Sequence, residues 1–125
     1  MAIETNTDIA GKFLSMAAEG NVQEAFDLYV GSSFRHHNAY FPGDRQSLLT
    51  AMQQSAATEP NKSFSIKQVI ASEDRVAVHS HLKRAQAGVE YAVVHILRFE
   101  NGKIVELWDV GQEIPSDSPN ESGIF

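Results

Sequence analysis

The stretch Tyr91-Ala92-Val93-Val94-His95-Ile96-Leu97-Arg98-Phe99-Glu100-Asn101-Gly102-Lys103-Ile104-Val105-Glu106-Leu107-Trp108-Asp109-Val110 decides the fold. Up to Phe99 it is almost continuously apolar, as a strand covered on both faces is. Asn101-Gly102 is a strong hairpin signal, and Lys103 to Val110 reads as the returning strand. Working backwards, Arg75 to Leu82 alternates Val76, Val78, Ser80 and Leu82 against Ala77, His79 and His81. Ser72-Glu73-Asp74 is a turn, and Phe64 and Ile66 begin another strand after Ser63. Its phase slips near Gln68-Val69, the mark of a bulge.

The first half of the chain follows the helical period instead. Ile9, Phe13, Met16 and Ala17 form one stripe, with Thr7 or Asp8 expected as its N-cap. Gly20 closes that helix, and Asn21 opens a second one carrying Val22, Ala25, Phe26 and Tyr29. Phe34 to Asn38 reads as extended, with His36 expected at an exposed strand end. Phe41-Pro42-Gly43-Asp44 is a turn, and Asp44 caps a third helix bearing Leu48, Leu49, Met52 and Ala56 before Pro60 ends it. Three helices followed by an antiparallel sheet of four long strands make an α+β architecture. The expectation is one domain over 1–125, with an irregular tail over 115–125 onto which Ile124 and Phe125 can dock.

Composition narrows the function. The chain has 125 residues, 42% hydrophobic and 21% charged, the balance of a single soluble domain. No cysteine is present, which excludes disulfides, zinc–thiolate sites and thiol nucleophiles. Ten Lys+Arg against sixteen Asp+Glu give a net charge of -6, which disfavours nucleic acid as a partner. No apolar run approaches the roughly 20 residues of a membrane span, so no membrane association is expected. Met1-Ala2-Ile3-Glu4-Thr5-Asn6 lacks the features of a secretory signal, and a cytoplasmic location is expected.

Register decides which side chains share a face. If Glu100-Asn101-Gly102 is a three-residue loop with a bulged Gly, Phe99 pairs with Lys103, His95 faces Leu107 and Val93 faces Asp109. His95 and Asp109 are then diagonal neighbours on one face. A two-residue Asn-Gly turn puts Asp109 beside Val94, away from His95; the three-residue loop is preferred. In the preceding hairpin, a loop around Ala85 to Val89 with Arg84 opposite Glu90 sets His79 opposite His95 and His81 opposite Val93. His79, His81, His95 and Asp109 then share a face otherwise made of Tyr91, Val93, Leu97, Val105 and Leu107. One buried histidine is ordinarily a hydrogen-bonded core residue. Four ionisable groups on one apolar face each need a partner, and that points to a site.

The run from Tyr91 to Gln112 resembles the SnoaL-like branch of the nuclear transport factor 2-like superfamily, in particular its polyketide-cyclase-like, predicted aldol-condensation members. His37-Asn38, Pro42-Gly43-Asp44-Arg45, Val76-Ala77-Val78-His79-Ser80-His81 and Ser122-Gly123-Ile124-Phe125 extend the likeness across nearly the whole chain. The resemblance implies a cone-shaped α+β barrel, with three N-terminal helices on a highly curved antiparallel sheet, a deep apolar pocket and a homodimer formed through the sheet. It also implies that Asp109 is a general base, with His95 beside it on the neighbouring strand. His37 and Asn38 enter as pocket residues on the same ground. Two departures stand out, because that group usually has His where this chain has Leu107 and Asp where it has His95.

The leading expectation is an enzyme acting on a small apolar carbonyl compound, by aldol cyclisation or isomerisation. Asp109 abstracts a proton next to a carbonyl, and His95 hydrogen-bonds the oxyanion or returns the proton. His37, Asn38, His79, His81, Tyr91, Val93 and Leu107 are expected to bind substrate, and no metal or organic cofactor is required. Two alternatives belong to other classes. One is a non-catalytic, ligand-binding dimeric module of the same fold. The other, less favoured, is a metal site built from His79, His81 and His95.

Overall fold

The computed structural model describes residues 4–85 and 88–125. The expected loop around Ala85 to Val89 includes Gln86 and Ala87, which lie outside the described residues, as do residues 1–3 of the segment read as lacking a secretory signal. In chain order the elements are α1 (Asn6–Ala18), α2 (Val22–Tyr29), β1 (Val30–His36), α3 (Arg45–Thr58), β2 (Lys62–Ser72), β3 (Arg75–Arg84), β4 (Val89–Glu100) and β5 (Lys103–Glu113). Beyond Glu113 the chain has neither helix nor strand.

Local chemistry sets the helix ends. Thr5, rather than Thr7 or Asp8, caps α1: the Asp8 backbone N–H donates to Thr5 Oγ1 at 3.1 Å, and the Asp8 carboxylate accepts from the Thr5 backbone N–H at 3.2 Å. Asp8 is thus the reciprocal half of a capping box, which satisfies two otherwise unpaired amides. Gly20 follows the helix at φ +95°, a left-handed conformation that Gly adopts without penalty. Asn21 opens α2 but makes no side-chain cap. Asp44 caps α3 as expected, accepting from Ser47 N–H at 2.9 Å and Ser47 Oγ at 2.7 Å.

The five strands form one sheet in the order β1-β5-β4-β3-β2. The four long strands pair antiparallel, but β1 joins the far edge parallel to β5, with Arg35 opposite Glu106 and His36 opposite Leu107. The sheet is therefore mixed, open and curved, which corrects the all-antiparallel expectation while leaving the α+β class intact. Helix α1 lies across β2 and β3, while α2 and α3 pack on β1. Between helices and sheet sits the core, where the Phe13, Phe26 and Phe34 rings meet in sequence at 5.5 and 6.2 Å against Val76, Val78, Leu97 and Ile104.

The β4–β5 hairpin combines parts of both expected registers. The turn has two residues, Asn101 at φ +51° and Gly102 at φ +76°, with Glu100 opposite Lys103. The preferred three-residue loop is therefore incorrect. A bulge then inserts Val105, so that Phe99 faces Ile104 but Arg98 faces Glu106. Beyond it Leu97 pairs with Leu107, and His95 pairs directly with Asp109. The two site residues share a face as expected, through a bulge in the strand rather than in the turn. Ile104, not Val105, joins the core cluster; Val105 is buried beside Gly31, where an added Cβ would lie 3.3 Å from it. The β2 bulge falls where the phase slip placed it, between Ile66 and Gln68.

The β3–β4 register differs by one residue from the expectation. Arg84 faces Val89, so His95 pairs with Val78, His79 with Val94 and His81 with Ala92. A one-residue slip turns every side chain to the other face. His79 and His81 therefore lie on the outer face, and Val78, Ser80 and Leu82 share the inner face with His95.

Glu106 fixes β5 from the outer side. It is buried, and its carboxylate accepts from His37 Nε2 at 2.6 Å, Arg98 Nε at 3.0 Å and Arg35 Nε at 3.1 Å. These bonds, led by His37, hold its pKa down to about 2 against the opposing effect of burial. A depressed folded-state pKa gives stability that is present above the ordinary value of 4.5 and is lost as pH falls toward 2. Glu106→Gln is expected to cost roughly 1–3 kcal/mol at neutral pH, because the buried side chain loses its charge-assisted bonds to Arg98, Arg35 and His37. Urea unfolding should also show a weaker acid dependence for the variant between pH 4.5 and 2; identical curves would mean that these bonds do not support the strand.

Candidate active site

The inner sheet face, α1, α3 and the segment after β1 line an apolar cavity of about 290 Å³ bordered by Asp109, His95 and Asn38. Phe13 and Leu14 of α1, Leu48 and Met52 of α3, and Leu107 of β5 supply apolar wall. A wider and more polar hollow of about 500 Å³ adjoins the same three residues and is bordered by Tyr91, Val93 and the exposed Tyr40. A smaller one of about 140 Å³ extends from His95 toward Phe64. Asp109 thus stands at the junction of two hollows, and His95 borders all three.

Asp109 is held by one side chain. Asn38 Nδ2 donates to both carboxylate oxygens, at 3.0 and 3.3 Å. The amide itself is oriented from behind: Asn38 Oδ1 accepts from the Tyr40 backbone N–H at 2.9 Å, and the Asn38 backbone N–H donates to His36 Nδ1 at 3.1 Å. That bond leaves the His36 proton on Nε2, which donates to the Pro42 carbonyl at 2.6 Å. His36 is buried, not exposed at a strand end as expected, and its ring braces the turn that presents Asn38.

The His95 imidazole is held below the ordinary histidine range by burial, and the nearby Asp109 charge opposes that shift. A neutral ring is the result at physiological pH. Its Nδ1 is buried and makes no hydrogen bond among the described residues. Phe64 packs against the ring at 6.2 Å between centroids. The arrangement sets a carboxylate and a neutral imidazole side by side, facing apolar space, where a proton can be taken from carbon and a developing oxyanion can accept a hydrogen bond.

Of the residues expected to bind substrate, Asn38, Tyr91, Val93 and Leu107 border the cavities. His37, His79 and His81 do not. The His37 ring stacks on Trp108 at 5.0 Å and 8°, on the outer face, and bonds Glu106. His79 Nδ1 contacts Gln68 Nε2 at 3.0 Å, and His81 Nε2 donates to Glu90 at 2.7 Å. Phe125 docks on both rings, at 5.4 and 4.7 Å. The three-histidine metal set is therefore divided between opposite faces, and among the described residues no group of three His, Asp or Glu is arranged to hold a metal. Among them also, no helix is long and apolar enough to cross a membrane. The helical wall residues were not identifiable as site residues in the sequence, because lining a cavity and filling a core use the same apolar stripe. Among the described residues Ser55 is the one polar side chain on that helical wall, and no sequence reading singled it out.

The SnoaL-like domain family matches residues 10–107 of the chain. No curated protein matches the sequence. Among solved structures, IdmH of Streptomyces antibioticus, described as a candidate polyketide cyclase, aligns with a TM-score of 0.75 at 18% identity, over 87% of this chain and 93% of that one. AclR of Streptomyces galilaeus, a candidate hydroxylase, aligns with a TM-score of 0.71 at 20% identity, over 83% and 76%. An uncharacterised cystatin-fold protein of Novosphingobium aromaticivorans aligns with a TM-score of 0.74 at 16% identity, over 86% and 99%. At these identities the likeness establishes the fold.

The neutral His95 has a consequence for stability. The unfolded chain takes up a proton near the ordinary value of 6.5, whereas the folded chain resists it. The unfolded state then binds more protons below that pH, so stability falls as the solution is acidified through this range. His95→Gln removes that contribution, and urea midpoints of wild type and variant should converge or cross between about pH 7.5 and 5.5. Parallel midpoints would show that His95 is readily protonated in the folded protein.

Proposed function

The chain belongs to the SnoaL-like domain family, and from that premise we propose that it is an enzyme acting on a small apolar carbonyl compound, with Asp109 as general base. The observation that carries this reading is the direct pairing of His95 with Asp109 on the inward face, at a cavity whose walls are otherwise apolar. Candidate cyclases of the same fold support the reaction class, by analogy.

Asp109 takes a proton from carbon next to a carbonyl; the C–H electron pair becomes the new C=C bond, and the carbonyl π pair moves onto the carbonyl oxygen. His95 donates a hydrogen bond from its neutral ring to that enolate oxygen. In cyclisation the enolate carbon attacks a second carbonyl of the same molecule. The proton held by Asp109, or one passed through His95, then neutralises the new alkoxide. In isomerisation the proton returns to a different carbon. Asn38 keeps both carboxylate oxygens in a fixed plane, which reduces the reorganisation needed at the moment of transfer. The apolar walls exclude water that would otherwise protonate the enolate.

The partner proposed for the protein itself is a second copy, docked through the outer sheet face. Ile70 and Val110, both on that face, are 64% and 65% exposed, more than strand residues of their type ordinarily are. Ile70→Asp should shift sedimentation toward monomer; an unchanged profile, or a wild type already monomeric at high concentration, would remove the dimer.

The catalytic reading is tested by hydrogen exchange on 2-tetralone in heavy water, followed by NMR. Wild type should accelerate exchange next to the carbonyl, and Asp109→Asn should lower the rate roughly 10²–10⁴-fold with unfolding temperature unchanged. His95→Gln should lower it less, by roughly tenfold. Equal rates for wild type and Asp109→Asn would end the base assignment.

A further inference from the structure

The cavity has a second polar end. Past His95 it continues into the hollow of about 140 Å³ between α1, α3 and β2, walled by Leu14, Met52, Phe64 and Leu82. Ser55 of α3 borders both this annexe and the chamber of about 290 Å³ that holds Asp109.

Lys62, the first residue of β2, reaches back to the end of α3. Its ammonium donates to Ser55 Oγ at 2.6 Å, to the Ser55 carbonyl at 3.0 Å and to the Glu59 carbonyl at 3.3 Å. An ammonium has three hydrogens, and all three are committed, so Lys62 has none left for a ligand. Ser55 is in the opposite position. Its Oγ accepts from Lys62, and among the described residues Lys62 is the only hydrogen-bond partner of that hydroxyl. A helical serine ordinarily turns its hydroxyl back to the carbonyl four residues earlier, which here is Ala51; Ser55 makes no such bond. Its own proton remains available, and a hydroxyl that accepts from a cation is a stronger donor for it.

We propose that Ser55, backed by Lys62, is a second anchor of the active cavity, donating to an oxygen on the ligand at the end remote from Asp109. The ligand class that follows is a ring ketone with a second oxygen function, phenolic, phenolate or carbonyl, across an apolar body. The carbonyl end meets His95 and Asp109, the ring lies along Leu14, Met52 and Leu82, and the distal oxygen meets Ser55. A ligand without that oxygen leaves the Ser55 hydroxyl unpaired in an apolar hollow, and this is what discriminates against it. The inference rests on the cavity being the reaction chamber described above, and it is tested by binding rather than turnover.

The probes are 1-tetralone and 6-hydroxy-1-tetralone, titrated into the intact protein by calorimetry or NMR. Wild type should bind the hydroxylated ketone about five- to tenfold more tightly, the range expected for one hydrogen bond. In Ser55→Ala the two dissociation constants should become equal, and in Ser55→Thr, which keeps the hydroxyl, the preference should persist. A preference that survives Ser55→Ala, or the absence of binding by either ketone, overturns the anchor. Asp109→Asn separates the two claims. If it leaves hydrogen exchange on 2-tetralone unaffected while the Ser55-dependent preference persists, the anchor stands and the base assignment falls.

Discussion

One inserted residue governs where the chemistry lies. Side chains alternate along a strand, so a simple two-residue turn at Asn101-Gly102 would pair Val94 with Asp109 and turn the carboxylate outward. It would also turn Glu106 and Trp108 inward, the first of them as a charge facing the core. The bulge at Val105 reverses both outcomes, with Arg98 opposite Glu106 and His95 opposite Asp109. Glu106 then meets His37, Arg98 and Arg35 on the outer face. Trp108 lies between the His37 ring at 5.0 Å and the Arg75 guanidinium at 5.2 Å. Burying Glu106 without those partners would cost several kcal/mol, so the ionic cluster holds the register as well as stabilising it.

The consequence reaches β1. His37 and Arg35 meet Glu106 from the outer side, while His36 between them faces inward and bonds the Pro42 carbonyl. The alternation of three consecutive residues therefore ties an outer charge cluster to an inner turn. That turn delivers Asn38 to Asp109. Two strands that pair parallel, β1 and β5, thus fix acceptor and donor from opposite ends of one backbone register. The His37 backbone N–H donating to the Leu107 carbonyl at 2.9 Å joins them. Asp109 and His95 hang on ladder hydrogen bonds, and Asn38 on a turn braced by the His36 ring.

Much of this was legible in the sequence. Asp44 as a cap, Gly20 as a stop, the slip beside Gln68 and the Asn101-Gly102 turn each carry a local signal that the fold obeys. The α+β class follows from the change of period near Ser63. What the sequence left open was register: β4–β5 offers two pairings one residue apart, and the single pairing read for β3–β4 is off by one residue. The β4–β5 pairing reached the right face through the wrong turn, since a bulge at Val105 has no local signature. The β3–β4 pairing went the other way, placing His79 and His81 inside. Nothing in the alternation of Val76 to Leu82 prevents that, because serine and histidine are equally plausible on either face. His36 and His37 show the same limit, as adjacent imidazoles in a strand must point to opposite sides, and only partners far along the chain decide which is buried.

The division of labour within the fold bears on how far a family likeness reaches. Apart from Ser55, the polar side chains of the chamber come from β4, β5 and the turn after β1. The apolar wall comes largely from α1 and α3, whose side chains answer only to packing. A structure sharing 18% identity keeps the fold while more than four-fifths of aligned side chains differ. A change such as Met52 to a bulkier residue would reshape the chamber without disturbing His95 or Asp109, and Leu107 lies close enough to do the same from the sheet. Chamber shape can therefore diverge within one fold. In this chain the feature that breaks the uniformity of the wall is Ser55 of α3 with Lys62 of β2 behind it. On the proposed reading, a ligand is selected by what spans the distance from Ser55 to Asp109, which is a question of length and oxygen placement more than of catalytic groups.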